Sequence, residues 1–110
     1  MKDFEIYPAD DVTIVFRKVI REGPTTVEKP ETGPEPPPGV DKIQYYDIQT
    51  KAIYEGNIKI RIISERANQG RLLQWSREQW VDKTMCCMIV GRKYKLIVGV
   101  TDHLSIFGVT

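Results

Sequence analysis

Residues 84–100 read TMCCMIVGRKYKLIVGV, two apolar runs around Gly91-Arg92. The first run, Thr84 to Val90, is short and apolar at successive positions, so both faces of an extended strand would be apolar. The second, Lys93 to Val100, places Tyr94, Leu96 and Val98 on one face at a period of two. Gly91 in the first central place suits a two-residue type II′ turn. The stretch predicts a β-hairpin. Its neighbours Cys86 and Cys87 point to opposite faces, one in the core and one beyond it, and are expected to be free thiols packed as small apolar groups. Unpaired thiols suit a reducing compartment.

The same period recurs outward along the chain. Ile58–Ile63, IKIRII, sets Ile58, Ile60 and Ile62 on one face, with Lys59 and Arg61 turned to water. Asp11–Arg21, DVTIVFRKVIR, sets Val12, Ile14 and Phe16 against Thr13, Val15 and Arg17. Tyr7-Pro8-Ala9-Asp10 before it reads as a turn or an extended arm, because Pro8 cannot donate to a ladder. Asp41–Tyr54 reads as one or two strands, and Glu55-Gly56-Asn57 as a tight hairpin turn. Asn68-Gln69-Gly70 is another turn, and Leu104–Val109 a last short strand. Arg71–Val81 is ambiguous: Leu72–Trp75 suits a strand, while Ser76-Arg77-Glu78-Gln79 fits a capping box that would start a short helix at Arg77. Short strands at regular spacing with turn signals between them predict an all-β domain, a small barrel or a sandwich, with at most one short helix. The 110 residues suit a single domain able to bury its own core.

Gly23–Gly39, GPTTVEKPETGPEPPPG, is a different material. It holds six of the seven prolines and three glycines. Proline removes donors and fixes φ, so the segment is expected to be extended and free of packed strand or helix. At about 3.1 Å per residue in polyproline-II form it could span roughly 50 Å. Two readings stand: a disordered surface loop, or an arm that orders against a neighbouring subunit or lines a channel, with Pro24, Val27, Pro30, Pro34, Pro36, Pro37 and Pro38 as its candidate contacts. Val27 is its one large aliphatic residue, so deleting residues 24–38 is expected to leave the body folded.

Sixteen Lys and Arg against fifteen Asp and Glu give a net charge of +1, too little for a generic pull toward nucleic acid or an anionic membrane. The longest apolar run, Met85–Val90, falls far short of the roughly 20 residues that cross a bilayer, and the acidic start MKDFEIYPADD does not read as a secretory signal. Two cysteines and one histidine cannot supply a four-ligand Cys/His zinc site. Asp102-His103 reads as a turn or a surface hydrogen bond. No nucleophile elbow, phosphate loop or carboxylate in an apolar setting is present, so neither an enzyme nor a cofactor is expected. Arg71, Trp75, Arg77 and Trp80 interleave basic and aromatic side chains. They suit a single-strand stacking surface, a subunit interface, or Trp packing between a sheet and a short helix.

Asp11–Val19 resembles the opening strand of the small β-barrel head–tail connectors of tailed bacteriophages, which begin with a similar D-x-[IV]-T-[IV]-x-R segment. Trp80–Met85 and Met88–Asp102 are similar to that family's closing hairpin: Asp82, Met85, Gly91, Tyr94, Leu96 and Val100 approximate its D-x-x-M, Gly, Tyr and apolar positions, displaced by about one place. The resemblance implies a structural virion protein, a stopper or adaptor subunit of a homo-oligomeric ring below the portal, assembled in the bacterial cytoplasm. Its implied partners are copies of itself, portal or adaptor and tail proteins, and packaged DNA near the channel, with no membrane. It also implies a loop gating the channel, for which Gly23–Gly39 and Gln44–Tyr54 are candidates. The alternative is a stand-alone binding module for single-stranded nucleic acid or a host protein.

Overall fold

A computed structural model describes residues 3–65 and 67–110. These residues form ten strands and no helix: β1 Phe4–Ala9, β2 Val12–Arg21, β3 Thr25–Glu28, β4 Gln44–Thr50, β5 Ile53–Ser64, β6 Leu72–Ser76, β7 Gln79–Asp82, β8 Thr84–Val90, β9 Tyr94–Thr101 and β10 Ile106–Val109. They make two five-stranded antiparallel sheets, β1-β2-β5-β9-β8 (sheet A) and β3-β4-β10-β6-β7 (sheet B). Of the two architectures expected, the sandwich is the one formed. Neither sheet closes on itself, so the domain is not a barrel.

The alternation read from sequence places the core. Val12, Ile14 and Phe16 of β2 meet Ile62, Ile60 and Ile58 of β5 in register, and Ile97 of β9 continues the layer. From sheet B come Tyr46, Ile48, Leu72, Phe107 and Val109, all essentially inaccessible. At roughly 25 cal/mol per Å² of apolar area removed from water, this layer supplies the main driving force for folding. Four polar residues are buried among the described residues, Ser64, Gln74, Thr101 and Thr110, and Gln74 is the largest of them and wholly buried. Gln74 donates from Nε2 to the His103 carbonyl (2.9 Å) and to Ser105 Oγ (3.0 Å), and its Oε1 accepts from Thr101 Oγ1 (2.6 Å). A buried amide with its hydrogen bonds made avoids the penalty of an unpaired one.

Five local expectations are corrected. Arg77 starts no helix: Trp75 pairs with Trp80 and Ser76 with Gln79, and Arg77 and Glu78 form the two-residue turn with φ of 51° and 63°. Two consecutive positive φ values are the signature of a type I′ hairpin turn. Gly56 makes no hairpin turn either. β5 runs through it, and Phe16↔Ile58 followed by Lys18↔Glu55 marks a bulge with Gly56 at φ 85°. Gly91-Arg92 is widened by Lys93 to a three-residue loop, since Val90 pairs with Tyr94. Tyr7-Pro8-Ala9 belongs to edge strand β1, where a missing donor is tolerated. The proline segment does contain a strand. Thr25–Glu28 pairs with Asp47–Thr50, and Val27 packs against the core.

Candidate assembly surface

Each sheet has an outer face, and the two are finished differently. On sheet B, Tyr45, Leu73, Trp75, Trp80 and Gly108 lie on the outer side, as the registers Tyr45↔Gly108, Gly108↔Leu73 and Trp75↔Trp80 require. Trp75 and Trp80 pack edge to face with centroids 5.2 Å apart, and Trp80 stacks on Tyr45 at 6.3 Å. The proline segment folds back over this cluster. Tyr45 Oη donates to the Pro34 carbonyl (2.5 Å) and Trp80 Nε1 to the Glu35 carbonyl (2.7 Å). A short turn, Val40 N–H to the Pro37 carbonyl, brings the chain back. Extended proline-rich backbone has unpaired carbonyls, and aromatic N–H and O–H groups are suited to meet them. Tyr45 is left only 7% exposed, and burial pushes its phenol up.

The sequence-predicted residues are therefore distributed as follows. Pro34, Pro36 and Pro37 are half-buried within the roof over their own sheet, Pro24, Pro30 and Pro38 are exposed, and Val27 is part of β3. Gln44–Tyr54, the other candidate gate, is no loop, since it comprises β4 and the start of β5. Trp75 and Trp80 do come together. Arg71 and Arg77 stand at opposite ends of β6, Arg71 beside Asp82 at 3.8 Å and Arg77 in the turn. The expected layer of Trp between sheet and helix is replaced by Trp between sheet and proline roof.

Sheet A carries an apolar surface that the described residues leave unroofed. Cys86↔Val98, Met88↔Leu96 and Val90↔Tyr94 share its outer face with Ile63, which pairs with Leu96. Met88 is 52%, Val90 44%, Tyr94 44% and Ile63 42% exposed, and Met85 and Ile89 beside them are 55% and 78% exposed. Neither thiol is in the core: Cys86 is half-buried on this face and Cys87 exposed on the other. β8 has outrun the opposing sheet, so both of its apolar faces meet solvent.

β8 is also an edge. Edge strands are commonly blunted by charge, proline or brevity. β1 has Glu5 and Pro8, and β3 and β7 have four residues each, with Glu28 and Asp82. β8 has seven residues, no charge and no proline, its one irregularity a bulge at Met85. Sequence reading identified this hairpin but not its exposure; seven uncharged residues with no polar alternation were the available signal.

Two local pairs hold titratable groups elsewhere. His103 Nδ1 lies 2.6 Å from Asp102 Oδ1, and this hydrogen bond holds the exposed Asp102 carboxyl below its ordinary range. Lys29 Nζ bonds Asp11 Oδ2 at 2.7 Å beneath Tyr46, whose phenol is pushed well up by burial and then by Asp11. Among the described residues no three His, Cys, Asp or Glu side chains gather as a cation would need, and no helix is long and apolar enough to cross a membrane. Comparison with protein-family models, curated proteins and solved structures finds no match to this chain.

Proposed function

We propose that this chain is a structural subunit that works by assembling with copies of itself, and that its place is the head–tail junction of a tailed bacteriophage, as a connector or stopper ring. The observation that carries the self-assembly reading is the unroofed β8–β9 hairpin: a long uncharged edge that itself exposes Met85, Met88, Ile89 and Val90, with Tyr94 of β9 beside them. Exposed apolar surface of this extent on a small domain marks an interaction site. The phage placement is supported by the sequence resemblance, whose two stretches fall mainly in β2 and the β8–β9 hairpin, both in sheet A. The work of such a subunit is interface burial and symmetric closure rather than bond making.

The test is the composition of purified particles from the source phage. Mass spectrometry should find the chain at a constant stoichiometry of several copies per virion, and electron microscopy should place it at the neck. Its absence from intact particles overturns the placement.

A further inference from the structure

Sheet A has five strands and every ladder in it is antiparallel, so its two edges, β1 and β8, run in the same direction. The charges at the ends of these edges are opposite in sign. Lys83 precedes β8, and Arg92 and Lys93 follow it. Asp3 precedes β1, and Asp10 and Asp11 follow it.

We infer that β8 of one copy docks along β1 of the next, head to tail, in parallel orientation. This contact sets Lys83 by Asp3 at one end and Arg92 and Lys93 by Asp10 at the other, Asp11 being already paired with Lys29 of its own chain. Any pairing of β8 with the β8 of a second copy instead sets Lys83, Arg92 and Lys93 against one another, whichever way the strands run. Opposed like charges select against that arrangement.

The apolar surfaces agree with the charges. Phe4 on β1 is 38% exposed. Beside it the sandwich opens in an apolar mouth of about 410 Å³, with Ile6, Phe16, Val19 and Ala52 on its walls. An incoming strand that continues the sheet turns the core-side face of β8, with Cys87 and Ile89, toward both, while Met88 stays on the outer face. Pro8 and the irregular register between Ile6 and Ala9 confine main-chain pairing to the first part of β1. A heterologous contact of this kind repeats from copy to copy and closes a ring when the rotation per copy divides a full turn. The inference refines the self-assembly part of the function proposed above and stands apart from the phage placement, because it is tested on the purified chain alone.

The test is sedimentation of the full-length protein over a wide concentration range, at low and high salt. Wild type should self-associate, with affinity falling roughly tenfold or more at high salt. A hairpin variant (Lys83→Glu, Arg92→Glu, Lys93→Glu) and a β1 variant (Asp3→Lys, Asp10→Lys) should each be monomeric. An equimolar mixture of the two should associate again, because each reversed edge then meets its complement. A wild type that stays monomeric overturns the inference, as does a β1 variant that associates like wild type, or a mixture of two natively folded variants that stays monomeric. Should either variant fail to fold, hydrogen exchange on the wild type decides. Amides of both β8 and Phe4–Tyr7 should gain protection on association, and protection of β8 alone overturns the contact.

Discussion

The outer face of sheet B and the hairpin end of sheet A are made of similar material and treated in opposite ways. Over sheet B the chain lays its own proline-rich segment, and Tyr45, Trp75 and Trp80 become a second small core. Over the outer face of β8 and β9 the described residues lay nothing, and Met88 and Tyr94 there, like Ile89 on the other face, stay in water. One apolar face is thus completed within the molecule, and the other is left to be completed by contact. The difference separates residues that hold the fold from residues available to hold an assembly, though both sets are large and apolar.

The separation can be attacked at several strengths. Ile60 lies in the layer that both faces enclose and is wholly buried. Ile60→Asp puts an unpaired charge there and should cost about 4 kcal/mol or more, enough to unfold the domain; circular dichroism on heating would show it. Trp80→Ala removes the roof's aromatic bed and the hydrogen bond to Glu35. It should cost about 2–3 kcal/mol and open residues 29–39 to limited proteolysis. An unchanged digestion pattern would mean that the roof is held by other contacts. Arg77→Asn combined with Glu78→Gly relieves two left-handed residues in the β6–β7 turn and should stabilise by about 1 kcal/mol in a denaturant titration. At the unroofed end, Ile89→Ser should alter the stability of the isolated chain by no more than about 0.5 kcal/mol while weakening self-association. A large drop in melting temperature there would erase the contrast between the faces.

Strands whose pattern is intrinsic were legible in the sequence. Ile58, Ile60 and Ile62 announced a buried face, and Val12, Ile14 and Phe16 announced its partner, because period two survives any choice of neighbour. Features that depend on a distant partner were not. A positive φ at Gly56 serves a turn or a bulge equally well, and the choice rests on whether its flanks pair with each other or with β2. Ser76-Arg77-Glu78-Gln79 satisfies a helix cap on paper, but Trp75 and Trp80 pair across it and the hairpin wins. Thr25–Glu28 was hidden by the prolines around it, although the four residues themselves contain none. Its pairing with β4 also revises the expectation for deleting residues 24–38, which would strip an edge strand and the roof together and destabilise the body. Which apolar face would be roofed was illegible, since alternation says that a face is apolar and not where a remote loop will land.

The buried amide of Gln74 sets a constraint on how the two sheets can meet. Shifting β6 by one position along β10 would rotate this side chain out of the interior and turn Leu73 and Trp75 inward, breaking the bonds of Gln74 to the Thr101 hydroxyl, the His103 carbonyl and the Ser105 hydroxyl. Aliphatic neighbours tolerate small slides; a donor and acceptor with fixed mates do not. One glutamine thereby acts as an alignment pin, making a misthreaded sandwich costly at a point where hydrophobic packing alone would discriminate weakly.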